Sequence, residues 1–243
     1  YNKKQEFYGS NLIVKNIGIR KDKVFVVSNV YSPIFDNDIV KETNPDQLNI
    51  LVFAAPYLHK NLDLVPHVAH ELVIRGVTNF KFTVTIPKEN DIELFSNFED
   101  LCRTLNVDSC IENIGKVNFK SAPYLYKGSD ILFLPTLLEV FSVTYLESMA
   151  SSVPIVTTDL PFSNDVCRDS AHYFKPKDAI SAANSLEKLI KSKGEREKLI
   201  KKGNKRLLDF PKYDEVFGLS SIAFFASVNA YSTSSFLSIK LYA

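Results

Sequence analysis

The chain of 243 residues has almost no excess charge, few cysteines and few glycines. Its 29 Lys and Arg are balanced by 28 Asp and Glu, for a formal net charge of +1. A nucleic-acid scaffold held by phosphate electrostatics needs a basic excess, so that class is disfavoured. The three cysteines, Cys102, Cys110 and Cys167, are odd in number and form no CxxC pair. This pattern argues against a disulfide framework and a cysteine zinc site, and it fits a reducing compartment. Four histidines show no zinc spacing; His67 and His70 share a helical face but lack a third ligand. With 8 glycines in all, no GxGxxG follows an expected strand, which disfavours a lone dinucleotide-binding domain. No secretory signal is read at the start. The long uncharged run after Gly218 is too rich in serine for a membrane span.

Hydrophobic residues make up 45% of the chain, enough for a core. Strand patterns occur at Val24–Val27, Asn49–Ala54, Phe80–Ile86, Ile111–Ile114, Ile131–Leu134, Ile155–Thr157 and His172–Phe174. Helical patterns alternate with them. The first covers Leu62–Ile74, capped by Asn61 and ended by Gly76. Others cover Glu93–Leu105, Ser121–Lys127, a short stretch from Ser142 or Val143, and Pro161–Val166. Ala179–Lys191 places Ile180, Ala183, Leu186 and Leu189 inward, and a Lys-rich helix, Glu195–Leu208, follows Gly194. Its charges read first as a solvated face. Such alternation predicts an α/β fold with a Rossmann-like, doubly wound parallel sheet. The chain divides into a remnant or linker (1–22), the α/β domain (23–217, with an exposed linker over 36–48) and an atypical tail (218–243).

The segment from Asp130 to Thr158 is the most informative. It reads strand, loop, helix, Pro154 and strand, and it carries Glu139 and Glu147 with seven residues between them. A helix starting near Ser142 puts Glu147 in its second turn, so the carboxylates stand roughly 10 Å apart at about 1.5 Å of rise per helical residue. That is too wide for an acid and base on one bond and suits the two ends of an extended ligand. The helix N-terminus between them presents N–H groups of Ser142, Val143 and Thr144 to an anion. A glutamate in a surface loop and another on an amphipathic helix would give the same spacing. Lys60 is placed after a parallel strand, where α/β sheets bind ligands, although a solvated loop lysine looks the same in sequence.

The ordered set Glu139-Val-Phe-Ser-Val-Thr-Tyr-Leu-Glu147, Ser148-Met-Ala-Ser-Ser-Val-Pro154, Val26-Val27-Ser28-Asn29, Lys60-Asn61, Gly115-Lys116-Val117 and Ala171-His172-Tyr173-Phe174 resembles the retaining glycosyltransferases of family 4. These are the glycosyl transferases group 1, of GT-B architecture. The likeness runs from about Lys23 to about Phe217 and matches the C-terminal, donor-binding half of such an enzyme. The resemblance implies transfer of a hexose from a nucleotide diphosphate sugar to a glycan or lipid-linked acceptor. It also implies a missing N-terminal acceptor domain, no metal and no cofactor beyond the donor. A cytoplasmic location, with the inner membrane face as one option, follows from the class; contact of the Lys-rich helix with anionic lipid is the minor alternative to its solvated-face reading.

Carried onto this chain, the family's roles make Lys60 the group that receives diphosphate charge and Glu139 the holder of sugar hydroxyls. Backbone amides of Phe141, Ser142, Val143 and Thr144 assist them. Glu147 holds the ribose, and Gly115 and Val117 meet the base through their backbone. Three departures stand out. Ala55 occupies a position, five before Lys60, where the family commonly has Arg, and His59 would restore only part of that charge. Val140 and Ser142 replace usual glycines. Two other readings stay open: a non-catalytic nucleotide-sugar-binding module, and a GT-B sugar-nucleotide epimerase.

Overall fold

The computed structural model describes residues 29–36, 46–88 and 92–216. The expected strand at Val24–Val27, the 1–22 segment and the 218–243 tail lie outside them, as does most of the 36–48 linker.

Six strands form the sheet: β1 (Leu48–Val52), β2 (Phe80–Val84), β3 (Ile111–Asn113), β4 (Ile131–Leu134), β5 (Ile155–Thr158) and β6 (Ala171–Phe174). They run in the order β3-β2-β1-β4-β5-β6, and every adjacent pair is parallel. The helices are α1 (Leu64–Ile74), α2 (Ile92–Thr104), α3 (Ala122–Lys127), α4 (Val143–Ala150), α5 (Pro161–Cys167), α6 (Ala179–Lys191) and α7 (Lys193–Leu207). The doubly wound α/β prediction therefore holds.

Period-2 side-chain alternation sorts the strands between two cores. Ile50, Val52, Phe82 and Phe133 face α1, α2 and α6; Leu51, Leu132, Leu134 and Ile155 face α3, α4 and α5. Both faces being covered, β4 and β5 are buried along their whole length, as their unbroken apolar runs require.

Three local expectations change. α1 begins at Leu64, not Leu62, because Asn61 closes a 3-10 turn over Leu58–Lys60 in the left-handed region at φ 53°. Asparagine tolerates that conformation better than most residues. In α6, Ile180 is exposed; Ala182, Ala183, Leu186, Leu189 and Ile190 form the buried stripe. α7 starts at Lys193, with the Ser192 hydroxyl accepting from the Glu195 N–H at 3.2 Å, so Gly194 lies inside its first turn. Gly203 allows α7 to approach α4: a Cβ there would stand 3.3 Å from Met149 Cγ.

Candidate active site

The sheet reverses its winding between β1 and β4. At such a switch point, open α/β sheets bind ligands in the crevice outside the carboxyl ends of the strands. Lys60 lies on the loop after β1 and Glu139 on the loop after β4. The Lys60 ammonium donates to Glu139 Oε1 at 2.5 Å, and the two side chains are 18% and 12% exposed. Neighbouring bonds stitch the same loops. The Leu137 N–H donates to the His59 carbonyl at 2.7 Å, and Asn61 Nδ2 donates to the Pro135 carbonyl at 3.3 Å. The Thr136 hydroxyl lies 3.1 Å from Glu139 Oε1. The Thr158 hydroxyl on β5 donates to the Thr136 carbonyl at 2.6 Å, tying this loop to the sheet.

His59 contributes its carbonyl to this stitching, while its ring stacks on Tyr57 at 5.6 Å between centroids. Leu58, Leu138 and Val140 are exposed on the two loops. Ala55, at the position where the family commonly has Arg, is also exposed.

α4 starts beside this loop. Ser142 is its N-cap in an extended conformation, and its hydroxyl makes no capping bond. The first helical N–H groups, those of Val143 and Thr144, point out of the helix end by construction. Phe141 precedes them, and its ring packs edge-on against Phe210 at 6.0 Å.

Glu147 lies in the second turn of α4, as the spacing predicts, but it is buried at 8% exposure. Its Oε2 accepts from the Tyr126 hydroxyl on α3 at 2.8 Å. Burial raises the Glu147 carboxyl above its usual range, and the Tyr126 bond opposes that shift. Burial, and then the nearby carboxylate, push the Tyr126 phenol well above 10. Tyr126 is a residue that sequence reasoning overlooked. The signal was available: an aromatic with a hydroxyl on the buried face of a short helix requires a polar partner.

Gly115 and Val117 follow β3, two strands from β1 along the same carboxyl edge. Gly115 has φ 70°, a left-handed turn that suits glycine. Its N–H donates to Asn113 Oδ1 at 3.0 Å. Asn113 also pairs with both backbone groups of Ile86, at 3.0 and 3.1 Å.

A polar recess of about 210 Å³ lies elsewhere, among Asn49, Lys81, Glu112 and Asp130 toward the start of the strands. Lys81 and Glu112 pair there at 2.8 Å, Asp130 accepts from the Asn49 N–H at 2.9 Å, and the recess stands away from the carboxyl edge where such sheets bind ligands. Among the described residues no cluster of three metal-ligating side chains occurs. An Asp-x-Asp triplet does stand at Asp36–Asp38; Asp36 accepts from the Tyr31 hydroxyl at 2.8 Å, and the other two residues lie outside the described set. His70 bonds the Leu105 carbonyl at 3.1 Å. All three cysteines are free. Among the described residues no helix is long and apolar enough to cross a membrane.

Comparison with known proteins fits this arrangement. The chain is 26% identical over 120 residues to an uncharacterized glycosyltransferase of Methanocaldococcus jannaschii, covering 49% of this chain and 31% of that one. It is 20% identical over 177 residues to the O-antigen chain mannosyltransferase RfbU of Salmonella typhimurium, covering 73% and 47%. The chain thus spans less than half the length of these curated relatives. Its fold matches a glycosyltransferase of Rickettsia africae with a TM-score of 0.78 at 13% identity, over 89% of this chain and 60% of that one. The model of the family described as glycosyl transferases group 1 matches residues 35–206, which contain both loops of the crevice, α4 and the whole sheet. The parallel sheet with its switch-point crevice is accordingly a GT-B-type fold, and the chain belongs to the glycosyl transferases group 1 family.

Proposed function

We propose that this chain forms the donor-binding part of a retaining hexosyltransferase that takes a nucleotide diphosphate sugar and serves a glycan or lipid-linked acceptor. The observation that carries this reading is the Lys60–Glu139 pair spanning the switch point, next to the N-terminus of α4. It sets a cation, orphan amides and a carboxylate in one crevice. In the proposed complex the diphosphate takes Lys60 and the Val143 and Thr144 amides. These groups stabilise the negative charge that grows on the diphosphate as its bond to the anomeric carbon breaks. Glu139, freed from Lys60, accepts from sugar hydroxyls, with the Phe141 and Ser142 amides beside it. Glu147 accepts from the ribose, and the turn at Gly115 and Val117 borders the base. His59, on the same loop as Lys60, borders the diphosphate. Catalysis here is positioning and electrostatics, without a metal in the scheme.

A partner domain would bring the acceptor to the same crevice. Peripheral contact with an anionic membrane through the lysines of α7 remains part of the proposal, with the chain at the cytoplasmic side.

Calorimetric titration with UDP, GDP and ADP, followed by the sugar conjugates of whichever binds, tests the reading. Selective binding of one diphosphate supports it, and silence for all three overturns it for this chain. Ala55 favours one second reading, a nucleotide-sugar-binding module without turnover. That reading predicts binding of the donor and no transfer when a partner domain and acceptors are supplied.

A further inference from the structure

Tyr126 has no role in the proposed donor complex, yet its hydroxyl is held 2.8 Å from a carboxylate oxygen of Glu147. Its ring is completely buried. Phe35 meets it edge-on at 5.4 Å between centroids, and Phe53, just after β1, packs against it at 5.5 Å. Thr144, in the first turn of α4, lies against the same phenol. The ring therefore cannot swing away, and its hydroxyl has a fixed direction. That direction is toward Glu147 Oε2, at 2.8 Å. The other carboxylate oxygen, Oε1, accepts no hydrogen bond among the described residues, and Glu147 as a residue keeps 8% exposure.

We propose that Tyr126 is a positioning residue: it clamps one oxygen of Glu147 so that the other is held ready for a vicinal diol, giving the site its preference for ribonucleotides. The proposal rests on the donor reading above. It is specific in its chemistry. A carboxylate with one oxygen tied can still accept from both hydroxyls of a ribose, because each oxygen has two acceptor directions. A carboxylate released from its clamp rotates, and it loses the directional advantage that tells a diol from a bare ring. The phenol has a second effect: by donating to the charged form it opposes the protonation that burial favours.

The test uses the whole chain and the diphosphates UDP, GDP and ADP, each beside its 2′,3′-dideoxy analogue. In the wild type, the diphosphate that binds is preferred over its dideoxy form. Tyr126→Phe keeps the ring between Phe35 and Phe53 and removes only the hydroxyl. It should weaken the ribonucleotide about tenfold, the worth of roughly one good hydrogen bond to a charged group, and leave the dideoxy form within about twofold. The preference then collapses. Glu147→Gln should collapse it too, and the double variant should be no worse than the weaker single one, which is the signature of two residues acting as a unit.

Equal weakening of both nucleotides in Tyr126→Phe would make Tyr126 a packing residue and overturn the inference while leaving the donor site intact. An unchanged preference would overturn it as well. A wild type that binds a diphosphate without preferring the ribose form removes the ribose role of Glu147 and this proposal with it. A wild type that binds no diphosphate fails one step earlier, at the donor reading itself.

Discussion

Lys60 and Glu139 are 79 positions apart, with three strands between them in the chain, yet their side chains meet at 2.5 Å across the switch point of the sheet. Each neutralises the other in a half-enclosed crevice. Ligand binding at this place has to exchange partners: an anion for Lys60 and hydroxyls for Glu139. Lys60→Ala removes the cation and leaves a carboxylate that is 12% exposed without a counter-charge. Affinity for the bound diphosphate should fall roughly 10- to 100-fold by calorimetry, as for the loss of a charge-assisted contact of about 1.5–3 kcal/mol. Unchanged affinity would remove Lys60 from the site.

Glu147→Gln separates stability from binding. The folded carboxyl titrates above its ordinary value of 4.5 because it is buried. A raised folded value means that this group's contribution to stability is full below the unfolded value and is lost as pH rises through the folded one. Ionised Glu147 is therefore a burden at neutral pH. The glutamine keeps an acceptor for Tyr126 and carries no charge, so melting temperature should rise at pH 7. The gain should shrink toward zero below about pH 4, where the glutamate is protonated in both states. A constant gain at all pH values would show that burial of the charge is not the cause.

Asn113 holds the turn at Gly115 through three hydrogen bonds, two to Ile86 and one from the Gly115 N–H. Asn113→Ala should cost about 2–3 kcal/mol, or some 5–10 °C in melting temperature for a domain of this size. If the turn borders the base, discrimination among UDP, GDP and ADP should weaken in the same variant. A loss of stability with intact discrimination would place the base elsewhere.

Arg206 is 5% exposed and joins α7 to the end of α5. Its guanidinium donates to the Val166 and Asp165 carbonyls at 2.8 and 2.9 Å, pairs with Asp209 at 2.7 Å and lies over Phe210 at 4.6 Å. Lysine has the charge without the planar fork. Arg206→Lys should therefore lose about 2–4 kcal/mol in urea unfolding, close to the loss in Arg206→Ala. Phe210 carries the Phe141 ring, so nucleotide affinity should drop alongside. Full rescue by lysine would show that charge alone matters here.

Much of this molecule could be read before the fold was seen. Ile131–Leu134 and Ala179–Lys191 occur with the bounds their patterns predict, because a buried strand and an amphipathic helix each write their period into adjacent residues. Glu147 falls in the second helical turn, as its distance from Ser142 requires. The misreadings involve side chains whose partners lie far away in sequence. Asn61 reads in sequence as a helix cap; in the fold it bonds the Pro135 carbonyl, 74 residues on. Period alone places Ile180 inward, but the stripe that α6 turns to the sheet starts at Ala182.

The sequence by itself determined the alternation of strands and helices, hence a parallel sheet covered on both faces, and it set Glu139 and Glu147 on either side of a helix start. These follow from local spacing and from the need to bury apolar faces, which act over a few residues. Only the tertiary structure decided that β1 and β4 are neighbours. On that adjacency depend the pairing of Lys60 with Glu139 and the stitching of their loops. The enclosure of Tyr126 by Phe35 and Phe53 and its grip on Glu147 likewise come from elements distant in sequence. Strand order is settled by how whole faces pack, and hydrogen bonds between distant side chains have no period that a linear pattern could carry.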